Sequence, residues 1–224
     1  MAEKYGTIPK RFTRKWWEYF WDYYKWHTLA VIFAIFFVVS WAYSALTAEK
    51  FDLKIVHFGR TIFGEDNTAS LATQLEEVIL DADENGEKNI ELINLELMDD
   101  VQIMQASALE QHNQSMHAKF FMTFADEYTY LYLVDAASFE DLQLHGRMDE
   151  FFLPIEKWGI DAEKNLPKDM GGDYAISIHK NPTLEENGCS GDDLCILLKP
   201  CLIDDEKAKA AFESAKLVIE ELLQ

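Results

Sequence analysis

The side chains with the clearest chemistry form an oxygen-rich loop. Asp81, Asp83 and Asn85 alternate along the chain and Gly86 follows at the turn, as in the opening of a calcium loop, where hard cations collect carboxylate and amide oxygens. Such a loop places a bidentate Glu at its twelfth position; here Leu92 stands there, Glu91 comes one residue early, and Lys88 takes the usual apolar place. The segment is therefore either a calcium site formed by Asp81, Asp83, Asn85 and Glu91, or an acidic helix end closed by Gly86. Calcium is the one cofactor the sequence admits. Cys189, Cys195 and Cys201 are spaced six apart. A Cys189–Cys195 disulfide would close a short polar loop in an oxidising compartment; otherwise these are buried apolar side chains or loop thiols. His57, with Arg60 just beyond Gly59, ends the first expected strand, and Asp135 and Ser138 end the strongest one. Open α/β sheets bind ligands outside such carboxyl ends, which makes these four the candidate ligand residues. Their alternative role is packing for His57 and turn or cap formation for Asp135 and Ser138. No GxSxG, HExxH, GxxxxGK[ST], strand-following GxGxxG or CxxC occurs, so no enzyme is expected.

The elements that must position these residues begin with an anchor. Residues 28–46 are nineteen residues without a charge. As a helix they span roughly 28 Å, close to the ~30 Å hydrocarbon core of a bilayer. Lys4, Lys10, Arg11, Arg14, Lys15 and Lys25 precede the run, so the positive-inside rule puts the N-terminus in the cytoplasm and the rest of the chain outside. Residues 1–27 are expected to lie at the inner interface: Lys15, Glu18, Asp22 and Lys25 make one polar stripe amid Trp16, Trp17, Tyr19, Phe20, Trp21, Tyr23, Tyr24 and Trp26. The chain would then turn to cross the membrane. A cleaved signal peptide fits less well, because the stretch before the apolar core is long and the core carries bulky aromatics.

Residues 51–224 form the third segment, sized for one domain. They hold thirteen Lys/Arg against thirty-six Asp/Glu, whereas the first fifty residues hold seven against four. So acidic a body repels phosphate backbones, which excludes nucleic acid. Alternation predicts strands over 51–58, 89–97, 128–134, 174–179 and 194–198. Between them come a helix carrying Leu71, Leu75, Val78 and Ile79, a helix from Asp99 and Asp100 through Ile103, Met104 and Ala108, and, after a polar break at 111–114, a helix over 115–124. A capping box at Ser138 and Asp141 starts another helix that Pro154 stops. A loop with Gly159, Pro167, Gly171 and Gly172 follows it. Residues 181–193 read as loop, and an amphipathic helix from Asp204 closes the chain. This order predicts an α/β fold, one N-terminal transmembrane helix followed by a small sheet domain with helices on its faces.

Tyr130-Leu131-Tyr132-Leu133-Val134-Asp135, then Ser138-Phe139-Glu140-Asp141-Leu142, Gly146-Arg147-Met148 and Phe152-Leu153-Pro154, resemble the middle of a type 2 periplasmic or extracellular solute-binding protein. The strand, loop, helix and strand over 52–97 are similar to the first βαβ of that fold. The aromatic segment before an apolar span is similar to small single-pass membrane proteins of Gram-positive bacteria. The resemblance implies a membrane-anchored, extracytoplasmic, non-enzymatic domain, one lobe in size, that binds a solute or other small ligand. The alternative is a protein-interaction domain of a membrane or cell-envelope complex without a small ligand. The expected partners are thus the membrane and either a small ligand or a protein.

Overall fold

The computed structural model describes residues 10–47, 50–60, 63–99, 108–144, 148–160, 173–178, 180–189 and 194–223. The chain divides into two compact units, Met1–Glu49 and Lys50–Gln224. The residues expected at Asp100, Ile103 and Met104, at Gly146 and Arg147, at Pro167, Gly171 and Gly172, and at His179 lie outside the described ones.

Among its described residues the first unit holds one helix, α1 (Arg14–Thr47), of 34 residues. Thr13 caps it, its hydroxyl oxygen accepting from the Trp16 N–H at 3.3 Å. The expected turn between the aromatic segment and the apolar run is absent. The physical reason is plain: no Gly or Pro occurs between Arg14 and Thr47, and Trp16, Phe20 and Tyr24 stack at i, i+4 spacing (5.4 and 5.6 Å) along the aromatic segment that leads into the apolar run. Within α1, Tyr24–Tyr43 is long and apolar enough to cross a membrane, and no part of it is buried in the protein.

The second unit is a mixed five-stranded sheet. Its strands are β1 (Leu53–Gly59), β2 (Ile90–Glu96), β3 (Thr129–Asp135), β4 (Ala175–Ile178) and β5 (Leu194–Leu198), in the order β2-β1-β3-β5-β4. β1 runs parallel to β2 and β3, while β5 is antiparallel to both β3 and β4. The central place of β3 follows from its composition, because all seven of its residues are buried and a strand covered on both faces must read as continuous apolar sequence. One face packs α2 (Glu65–Glu76) and the last helix, α7 (Glu206–Leu222), through Leu71, Leu75, Ala211, Ala215, Val218 and Ile219. The other packs α3 (Ala108–Thr123) and α4 (Ala136–Leu144) through Phe120 and Phe139 against Val56, Phe58, Tyr132 and Val134. The result is a helix–sheet–helix sandwich with a core on each side of the sheet.

Three local expectations change. α3 runs unbroken through residues 111–114, because His112 and Asn113 there turn toward β2 and its exit: the His112 ring bonds the Glu96 carbonyl at 3.0 Å, and the Asn113 amide bonds the backbone of Met98 in both directions. α4 begins at Ala136, two residues before Ser138, since the cap is the Asp135 carboxylate, which accepts from the Ser138 N–H at 2.7 Å. Residues 182–186, expected to be loop, form the short helix α6 (Pro182–Glu186), capped by Asn181 and started by Pro182. The helix before it, α5 (Met148–Phe151), is a single turn.

Candidate functional site

The sheet gathers the four candidate ligand residues at the carboxyl ends of β1 and β3. Gly59 closes β1 where Asp135 closes β3, and a Cβ on Gly59 would fall 2.3 Å from Asp135 Oδ2, so only glycine lets the carboxylate approach. That carboxylate accepts the Arg60 N–H on Oδ2 and the Ser138 N–H on Oδ1. It ties the end of β1 to the first turn of α4, where it also meets the positive end of the helix dipole. Its job is internal fastening.

His57 is fully buried, its ring stacked on Phe63 with centroids 4.0 Å apart. Asn94 donates its amide N–H to the Phe63 carbonyl at 3.0 Å, which leaves Asn94 Oδ1 as acceptor for His57 Nδ1 at 2.7 Å. The proton is therefore assigned to Nδ1, and Nε2 keeps a buried lone pair without a hydrogen-bond partner. Burial holds the imidazole below its ordinary pKa, overriding the Asn94 bond and the nearby Asp135 charge, so the ring stays neutral. The Ser138 hydroxyl is likewise buried and unpartnered. The structure thus brings His57, Arg60, Asp135 and Ser138 together, with Asp135 and His57 engaged mainly by the fold itself.

Of the four expected cation ligands, only Asp81 and Asp83 converge. They do so with Asp52, which the sequence pattern did not pick out; one oxygen from each of the three lies within 4.8 Å of the others. Asp52 is 1% exposed and accepts the N–H groups of Ala82, Asp83 and Asn89, and Asp81 accepts those of Asn85 and Gly86. The Lys207 ammonium stands 3.6 Å from Asp83. Asn85 instead accepts from the Glu87 N–H at 2.7 Å. Glu91 already belongs to β2, where register sets it opposite Lys54, 3.5 Å from its ammonium. Asn85 and Glu91 are thus turned away from the twelve-residue calcium pattern, and backbone donors engage Asp52 and Asp81, whereas both oxygens of Asp83 are buried without a hydrogen-bond partner.

Cys189 and Cys195 are buried and pack in the cores on opposite faces of the sheet, and no disulfide joins them. Burial also raises the Cys189 pKa, which keeps it an inert thiol.

At the other end of β3 lies a groove that sequence reasoning missed. A cavity of about 320 Å³ is lined by Phe124, Tyr130, Phe151, Lys199, Pro200 and Leu202, with Asp126 and Glu150 at its edge. Phe124 stacks on Tyr132 at 5.0 Å and meets Phe151 at 4.7 Å, which makes a rigid aromatic wall. Lys199 turns its ammonium inward, donating to the carbonyls of Asp126 (2.6 Å) and Phe124 (3.2 Å), and burial lowers its pKa. Asp126 is held by Lys54 at 2.9 Å and by the Tyr128 N–H; together these outweigh burial and keep it below the usual carboxylate range. Burial raises the Tyr130 pKa far above its ordinary value, and its hydroxyl donates to Cys201 Sγ at 3.5 Å. Leu202, in the lining, is 86% exposed, and Phe121, whose ring meets Phe151 at 6.0 Å, is 47% exposed. The available signal was Pro200-Cys201-Leu202-Ile203, an apolar stretch outside any strand or helix and followed directly by two aspartates.

Comparison with known proteins finds no matching family model, no similar curated protein and no similar solved structure.

Proposed function

We propose that this chain is a single-pass membrane protein whose α1 crosses the bilayer, with the basic N-terminal end inside, and whose second unit is an extracytoplasmic domain working by non-covalent binding. The groove beside Tyr130 and Leu202 is the binding surface. The observation that carries this reading is a cavity of about 320 Å³ with aromatic walls, in whose lining Leu202 is 86% exposed. Its volume falls at the lower end of the ~300–1,000 Å³ that ligand sites occupy. The resemblance to one lobe of a solute-binding protein supports the same class. A non-enzymatic role is favoured by the strand-end groups, since Asp135 holds backbone N–H groups and His57 is neutral and sealed.

The test is thermal unfolding of the purified chain with a panel of amino acids, sugars, polyamines and short apolar peptides. A ligand at 100 times its dissociation constant adds about 2.7 kcal/mol and raises the midpoint by a few degrees. Loss of that shift in Leu202→Asp places the ligand in the groove. No shift across the panel removes the small-ligand form of the proposal. Orientation is checked by protease added to intact cells, which should degrade the second unit; protection would reverse the topology.

The alternative, a protein-interaction domain, is favoured by one observation. Phe121, whose ring meets Phe151 at 6.0 Å, is not part of the cavity lining and is 47% exposed, where a small ligand would leave it in water and a polypeptide would cover it.

A further inference from the structure

We infer that the groove receives a cationic amphipathic segment of a partner protein, with apolar side chains seated in the cavity and Lys or Arg side chains over its edge. This rests on the binding reading above and names the chemistry of the partner. The floor is apolar and aromatic, formed by Phe124, Tyr130, Phe151 and Pro200. A cavity of about 320 Å³ suits a few anchor side chains, which is how grooves hold one face of an amphipathic helix.

Charge selects the occupant. Asp126 and Glu150 line the cavity together with Lys199, and Glu127 and Asp149, their neighbours in the chain, are exposed, while Asp204 beyond Ile203 is paired with Lys209. The lysine in the wall, Lys199, is directed at two carbonyls, and Lys54 is shared between Asp126 and Glu91, so that trio stays net negative. The chain from residue 51 onward repeats this bias, with thirteen basic residues against thirty-six acidic. Such a field attracts a cationic segment and speeds its encounter. It repels an anionic lipid surface, and it would set like charges together if a second copy docked groove to groove.

The experiment uses the full chain in nanodiscs of zwitterionic lipid at physiological ionic strength, titrated into fluorescent helical peptides of leucine with lysine, with glutamine or with glutamate, with empty nanodiscs as reference. The leucine–lysine peptide should bind at least about tenfold more tightly than the other two. In Leu202→Asp, which adds negative charge but spoils the apolar seat, its affinity should fall about tenfold, and in Glu150→Gln it should fall by a smaller factor. Leu202 is 86% exposed, so its substitution should leave the unfolding midpoint unchanged. Equal or tighter binding to Leu202→Asp would show that charge alone attracts the peptide, and would overturn the inference. If the glutamine or glutamate peptide binds best and does so through Leu202, the cationic class falls while the binding-domain reading stands. If no peptide binds the wild-type chain, the inference falls, while the small-ligand form of the reading stands or falls separately on the thermal-shift panel. Leu202-dependent dimerisation of the chain in light scattering would also overturn it, by giving the groove to a second copy.

Discussion

Gly59 and Asp135 act as one unit, because the carboxylate occupies the space a side chain at 59 would need. Gly59→Ala should destabilise the domain by about 1–3 kcal/mol, the usual cost of forcing atoms into a packed site, as read from urea unfolding. In an Asp135→Ala background the same methyl group should cost far less, since the atom it strikes is gone; additive losses in the double mutant would refute the contact. His57 gives a second prediction, in pH. Its folded pKa lies below the unfolded value near 6.5, so the unfolded chain binds the proton first. Stability should be full above about pH 6.5 and fall as the pH drops below it. His57→Gln should flatten that part of the profile in thermal scans, and an unchanged slope would assign the effect to another of the six histidines.

Among the elements, the short helix α6 repays a test because one side chain holds two helices. Asn181 accepts the Leu184 N–H at 3.0 Å to cap α6 and donates to the Leu222 carbonyl in the last turn of α7. Asn181→Ala removes a cap and leaves buried groups unpaired, so it should cost about 3 kcal/mol in chemical unfolding. Asp205→Ala, which removes only the cap on α7, should cost about 1 kcal/mol. Strands were the legible part of this chain. β3 and β5 announce themselves as short apolar runs rich in aromatic or branched residues, and the expected 194–198 coincides with Leu194–Leu198. Helix ends were less legible, because caps are settled by tertiary partners. Asn113 looked like a breaker until β2's exit at Met98 supplied its hydrogen bonds, and Ser138 looked like a cap until Asp135 took that place. The groove was illegible for a related reason. Phe124, Phe151 and Leu202 come from three distant segments that only the fold brings to one place.

At the scale of the whole molecule, the excess of acid over base makes the second unit self-repelling. Raising ionic strength from about 10 mM to 150 mM shortens the Debye length from about 30 Å to about 8 Å. The unfolding midpoint of the chain should therefore rise over that range, and a fall would mean that attractive pairs such as Lys54–Asp126 dominate.

The cysteines carry one more consequence. Cys189 and Cys195 are sealed in opposite cores, while Cys201, between Pro200 and Leu202 in the chain, is partly exposed. A thiol-reactive dye added to the native chain would thus mark one position out of three, ahead of the two sealed ones. Labelling of one thiol therefore reports closed cores, and labelling of all three reports an opened chain.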